Sequence, residues 1–127
     1  MPRLHLQALG LALFCILLAV IGQTFMKLAI VRSGGMPVLE IGLGGVVRKC
    51  LEVPYIFLGF GAYGASAILW LEVLTKLDFS VAFPLVSVSY LLALFIGRFL
   101  FHENVNFYRV MGVLLICSGV FFVIRSQ

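Results

Sequence analysis

Ser87, Ser89 and Tyr90, just beyond Pro84, form the densest polar group inside any apolar run of this chain. Their run is fenced by Asp78 and Arg98, with 19 uncharged residues between. A proline within a helix removes one amide donor and frees the carbonyl four residues back, here that of Ser80. In lipid, a freed carbonyl is tolerated only where protein, water or a side chain satisfies it. The segment therefore faces something other than lipid tails. Three further polar residues sit at the ends of apolar runs. Gln23 and Lys27 lie one helical turn apart. Glu72 has 19 uncharged residues before it and Lys76 one turn after it. The chemistry open to such a set is hydrogen bonding and charge compensation within a membrane.

Each residue also has a plainer role. Lys27 either touches a substrate or snorkels to the headgroups. Glu72 is either an intramembrane functional acid or half of an interfacial pair with Lys76. Each serine either meets a substrate or bonds back to a carbonyl of its own helix. The cysteines Cys15, Cys50 and Cys117 are isolated and show no metal-ligand or paired spacing, so no metal, cofactor or disulfide framework is expected.

Composition sets the class. The chain has 127 residues, 63% hydrophobic and 11% charged, with a mean hydropathy of +1.19. A soluble domain holds about a quarter charged residues. So large an apolar excess cannot be hidden in a globule this small, and the chain reads as an integral membrane protein. The net charge of +4 comes from basic residues scattered near the ends of apolar runs. There they anchor spans against headgroups, and no nucleic-acid partner is implied. The first run is too long for a signal peptide and three more follow it, so it is read as a mature span.

Four transmembrane helices are predicted, over about 6–31, 54–75, 79–101 and 107–125, as one all-α domain spanning 1–127. In the first, Ala8, Ala12, Cys15, Ala19 and Gly22 recur at spacings of 4, 3, 4 and 3, one face of small residues that lets another helix approach closely. Gly34, Gly35 and Pro37 end it. Leu39, Leu43, Val46, Val47 and Cys50 keep helical spacing, which predicts a short interfacial helix; Gly44 and Gly45 favour an irregular loop instead. The second span begins at Pro54 and is rich in small residues. The connection Lys76–Ser80 is tight, which makes spans two and three antiparallel neighbours, and Asp78 or Ser80 is expected to cap the third. In the fourth, Gly112 and Gly119 lie seven apart with Ser118 beside the second, a stripe expected to form an oligomer contact. Basic residues divide six against three between the two sides, but four against three once Lys27 and Arg98 are set aside, so no orientation is assigned. Four helices fill their own core, so a substrate pathway is expected to need a second copy or a partner.

Three stretches then carry a family resemblance: LLAVIGQTFMKLA at 17–29, LWLEVLTKLDFSVAFPLVSVSYL at 69–91 and HENVNFYRVMGVLLICSGVFFVI at 102–124. In order and spacing they resemble the drug/metabolite transporter superfamily, in its small four-span branch. That branch holds the small multidrug resistance proteins, the flippase subunits for undecaprenyl phosphate-linked aminoarabinose, and other short EamA-like proteins. The multidrug proteins carry a glutamate where this chain has Ala19, and a tyrosine and tryptophan where it has Phe83 and Val86. Without that countercharge and that cation–π face, the usual site for a cationic drug is missing. The chain is more similar to the flippase subunits, which share Gly22-Gln23, a stretch like Ala82-Phe83-Pro84-Leu85, the serine-rich positions after it and a turn like His102-Glu103. Glu72 departs from both groups.

The resemblance implies a multi-pass inner-membrane transporter, not an enzyme, that moves a polyprenyl phosphate-linked sugar as a homodimer or with a paralogous subunit. In that setting Arg98 and Lys27 suit a phosphate, Gln23, Ser87, Ser89 and Tyr90 suit sugar hydroxyls, and Glu72 suits an amino group. Pro84 would supply a bend and an open carbonyl. Two alternatives stay open. One is a proton-coupled exporter of small polar or cationic compounds in which Glu72 replaces the missing acid. The other is a non-transporting membrane partner of a glycosyltransferase.

Overall fold

The computed structural model describes residues 2–126, with side chains from Leu6 onward. It is helical: α1 (Pro2–Arg32), α2 (Val38–Glu52), α3 (Tyr55–Lys76), α4 (Phe79–Leu85), α5 (Val88–Phe99) and α6 (Phe107–Arg125). Four stretches are long and apolar enough to cross a bilayer: Leu6–Arg32, Tyr55–Lys76, Phe79–Phe99 and Phe107–Arg125. The four expected spanning helices are therefore present, the third made of α4 and α5 together. At about 1.5 Å per residue, Leu6–Arg32 is longer than a bilayer core of about 30 Å, so its last turns reach the headgroup level.

Helix α1 ends in a glycine cap. Gly34 and Gly35 adopt φ of 77° and 99°, and their amides bond back to the carbonyls of Val31 and Ile30 at 3.4 and 2.9 Å. This is the paired Schellman pattern, which satisfies carbonyls that a helix end leaves open. Between the two sequence alternatives for the next segment, the helix forms. Its kink lies at Gly42, with φ 66° and ψ 179°, not at Gly44 or Gly45. No residue of α2 is buried, and Leu39, Leu43, Val47 and Leu51 form an exposed apolar stripe at helical spacing. An amphipathic stripe of this kind suits the headgroup boundary.

Helices α1 and α3 are antiparallel and make the main packing contact. The small-residue face of α1 is used here: Ala8, Ala12 and Cys15 are fully buried, and Gly22 is buried with them. At Gly22 the backbones nearly touch. A β-carbon there would stand 2.7 Å from the Gly59 carbonyl oxygen and 2.8 Å from the Tyr63 amide nitrogen. One at Gly59 would stand 2.6 Å from Met26 Cγ and 2.7 Å from the Gly22 oxygen.

The third span departs from a single helix. Pro84 lies inside α4, and the chain tightens just after it. Amides of Val86, Ser87, Ser89 and Tyr90 bond to the carbonyls three residues back, those of Phe83, Pro84, Val86 and Ser87, at 2.9–3.1 Å. The break falls at Val86-Ser87, and the helix ends at Phe99 rather than at Phe101. Asp78 occupies the N-cap of α4, yet neither its side chain nor that of Ser80 makes the expected capping bond. Asn106, by contrast, caps α6: its Oδ1 accepts from the Arg109 amide at 2.9 Å. Helices α4 and α5 pack between α1 and α6. Val120 is the one buried residue of α6 among those described.

The Gly22–Gly59 crossing yields a stability test. Gly59→Ala is expected to destabilise by about 1–3 kcal/mol, because the atoms a methyl meets are mostly backbone and cannot yield cheaply. Gly61→Ala meets nothing within 4 Å and is expected to gain up to about 1 kcal/mol of helix propensity. Thermal unfolding in detergent micelles reads both, and equal melting temperatures for the two variants would contradict the packing described.

Candidate functional site

With the small face of α1 against α3, its polar residues turn toward α5. Gln23, Thr24 and Lys27 line a cavity of about 420 Å³ whose other wall carries Ser89, Tyr90, Gly97 and Phe101. Gln23 and Ser89 also line a second cavity of about 230 Å³, which reaches into the span interior among Cys15, Ala19, Ser66, Trp70 and Val86. Tyr90 and Glu103 also line a third, of about 360 Å³, with Arg109 on its rim. The three share walls in series. Together they make one groove from mid-span to the α5–α6 connection.

The groove's open donors and acceptors follow from the broken span. Ser87 is occupied locally, its hydroxyl donating to the Pro84 carbonyl at 2.5 Å. Thr24 likewise donates to Val20 at 2.7 Å. Among the described residues, the side chains of Gln23, Ser89 and Tyr90 make no hydrogen bond, and all three face the groove. They are the groups available to a polar ligand.

The end of the groove is an ion cluster that joins Lys27 to Glu103, a pairing the sequence did not single out. The Lys27 ammonium pairs with Glu103 Oε1 and lies 4.4 Å from the centre of the Phe101 ring. Arg109 Nη1 stands 3.8 Å from Glu103 Oε2 and donates to the Asn104 carbonyl at 3.2 Å. The connection is shaped to hold this carboxylate. His102 adopts a left-handed φ of 53°, and the Glu103 amide then donates to the Gly97 carbonyl at 2.9 Å. Glu103 folds back over Gly97, where a β-carbon would sit 3.0 Å from Oε2. Hydrogen bonding and charge from Lys27, with Arg109 adding a little, hold the Glu103 carboxyl below its ordinary value of 4.5. Glu103 is the single acid after Asp78, and the third span returns the chain to the end where Lys27 lies. Antiparallel topology was therefore the signal that could have paired them.

Of the other residues singled out, Gln23, Lys27, Ser89 and Tyr90 come together in the groove. Pro84 and Ser87 lie at its broken span and act on the backbone. Arg98 is exposed on α5, next to Gly97 but turned out of the groove. Glu72 lies at the opposite end of the bundle, in the last turns of α3, and its Oε1 accepts from Lys76 at 2.6 Å. Gly112 and Gly119 have open space beside them, and Ser118 donates to the Leu114 carbonyl at 2.8 Å. That stripe faces outward. No group of three potential metal ligands gathers among the described residues.

This chain belongs to the EamA-like transporter family, whose family model matches residues 6–125. The match bears out the resemblance carried by its three stretches. A probable 4-amino-4-deoxy-L-arabinose-phosphoundecaprenol flippase subunit ArnE of Pseudomonas fluorescens strain Pf0-1 is 34% identical over 114 residues, 90% of this chain and 94% of that one. A probable subunit ArnF of the same flippase type, from Sodalis glossinidius, is 33% identical over 115 residues, 87% of this chain and 85% of that one. A probable subunit ArnE of Aeromonas salmonicida strain A449 is 28% identical over 114 residues, 90% and 93% of the two chains. No solved structure matches the chain.

The ion cluster has a defined pH response. A carboxyl whose folded pKa is depressed contributes stability that is fully present above its ordinary value and lost as pH falls through the folded one. Glu103 pairing is thus expected to persist at pH 4.5 and to break only below it. Carbon-13 NMR of labelled glutamate in micelles follows this directly. A Glu103 resonance that titrates at or above 4.5, or one unmoved by Lys27→Gln, would contradict the pairing.

Proposed function

From membership of this family, we propose that the protein is one subunit of an inner-membrane flippase that carries a polyprenyl phosphate-linked sugar, working with a second, paralogous subunit. The observation that carries this reading is the groove between α1 and α5: it begins inside the apolar span, offers unoccupied side-chain partners along its length and ends at a cluster of two cations around one carboxylate. Both kinds of subunit among its relatives, ArnE and ArnF, are similar to it over most of their length.

The physical task is to move a charged head group through hydrocarbon. An unpaired ion there costs tens of kcal/mol by idealised solvation estimates, so transit needs a sheltered polar path. No covalent step is required of the protein. Gln23, Ser89 and Tyr90 suit the sugar hydroxyls in turn, and Lys27 suits the phosphate. A polyprenyl tail would stay in lipid while the head group moves along the groove. Helix α6, nearly all exposed, offers the Gly112, Ser118 and Gly119 stripe to the second subunit.

A proton-coupled exporter would need an ionisable acid along the path. Glu72 is half-exposed and bonded to Lys76, Ala19 occupies the place of the multidrug proteins' acid, and Glu103, the acid that does line the groove, has its carboxyl held low by Lys27 instead of poised to carry a proton. The geometry therefore favours the flippase reading over that alternative.

Translocation of a labelled lipid-linked aminosugar, measured in proteoliposomes holding this chain and its partner subunit, tests the proposal. Lys27→Gln is expected to slow it roughly ten- to a hundredfold, the loss of a hydrogen bond to a charged group. Arg98→Gln, outside the groove, is expected to change it less than about threefold. Wild-type transport by Lys27→Gln, or a larger loss from Arg98→Gln, would remove the groove as the path.

A further inference from the structure

Glu103 is the least expected feature of the groove. It stands between two cavities and helps line both. One of its oxygens meets Lys27, which belongs to the first cavity, and the other faces Arg109, which belongs to the second. Two cations from different helices thus converge on one carboxylate. The carboxylate, the ammonium and the guanidinium are each partly exposed, so the cluster is reachable from the groove. Ion pairs between exposed groups are weak, and such a contact can be exchanged for another anion with little loss.

We propose that Glu103 is an internal stand-in for a lipid-borne phosphate, which displaces its carboxylate from Lys27 and Arg109 when it binds. This deepens the flippase reading and rests on it. The charges match. A phosphodiester carries one negative charge, as the carboxylate does, so the exchange leaves the net charge of the cluster unchanged; a phosphomonoester such as undecaprenyl phosphate carries up to one more and meets the same two cations. The shapes match as well: two oxygens of a phosphate can face two cations as the two oxygens of Glu103 do, and a guanidinium suits that forked arrangement. Phe101 beneath the ammonium, at 4.4 Å, holds Lys27 at the groove while its partner changes. Gly97 gives the carboxylate its resting place, and the hydrogen bond that the Glu103 amide donates to the Gly97 carbonyl involves only backbone, which leaves the side chain free to swing away. Release of Glu103 would widen the groove where these two cavities share a wall. The pair is then a latch that the substrate's own phosphate opens.

Binding of undecaprenyl phosphate to the chain with its partner subunit in nanodiscs tests this, with inorganic phosphate as the second probe. Glu103→Gln removes the competing anion and is expected to bind undecaprenyl phosphate about two- to fivefold more tightly, as much as an exposed pair can withhold. Lys27→Gln and Arg109→Gln are expected to bind it at least tenfold more weakly. A second readout uses the wild-type protein: saturation with undecaprenyl phosphate is expected to move the Glu103 carboxyl titration upward toward its ordinary value, because Lys27 has left it. Unchanged or weaker binding by a folded Glu103→Gln, or a Glu103 titration unmoved by saturating lipid phosphate, would overturn the proposal. Equal effects from inorganic phosphate at the same concentration would overturn the lipid assignment and show a site for free phosphate. Either failure alongside normal wild-type translocation removes the latch and leaves the transport reading standing. Absent translocation by the wild-type pair removes the transport reading itself.

Discussion

The backbone contact between Gly22 and Gly59 is the constraint on which the remaining geometry depends. Side chains normally hold helices apart at 8–10 Å between axes, and two glycines at one crossing remove that spacer. Once the small face of α1 lies against α3, the rest of α1 has no freedom of rotation. Gln23 and Lys27 lie on a neighbouring face, within about 40° of each other at 100° per residue, and are aimed at α5. A larger residue at position 22 or 59 would shift the polar wall of the groove along with the packing. The structural and functional roles of α1 are therefore inseparable.

The opposite wall is made by a broken helix. Pro84 cannot donate, and the chain after it tightens into bonds three residues back. Ser87 satisfies part of the disturbed backbone with its own hydroxyl. Ser89, one residue beyond the next, is left to face the groove. The break thus sorts two chemically identical side chains into a backbone role and a ligand-facing one. In lipid this local disorder of hydrogen bonding is acceptable because the segment borders a polar groove instead of acyl chains. At the end of the same span, Gly97 and the left-handed His102 bring the only acid of the last third of the chain onto Lys27.

Much of this was legible in the residues. The spanning helices, the small-residue face of α1, the interruption at Pro84 and the family resemblance all follow from local patterns. Half of the groove was legible too, since Gln23, Lys27, Ser89 and Tyr90 stand out as polar residues in apolar runs. What was not legible depends on rotation and long-range pairing. Arg98 and Gly97 are adjacent, and a difference of about 100° around the helix decides which of them faces the groove. Glu103 looked like part of a polar turn because its meaning comes from Lys27, 76 residues away. Glu72 reads by sequence equally well as a lone acid or as half of a pair, and the structure shows it paired with Lys76. The stripe on α6 points away from its own protomer, so nothing within the chain reads it.

The groove differs from a drug-transport geometry at two points: Ala19 stands where an acid would, and the acid that does line it, Glu103, is already paired with Lys27 and faced by Arg109. The claim is that a lipid-borne phosphate enters this groove. Photocrosslinking is its most direct test, with a polyprenyl phosphate that carries a diazirine in its first isoprene unit, applied to the reconstituted subunit pair and mapped by mass spectrometry. The account predicts adducts on residues lining the α1–α5 groove, such as Thr24, Ala93 and Phe101, that fade when unlabelled lipid phosphate competes. Adducts confined to the outer faces of the helices, unaffected by that competitor, would contradict it.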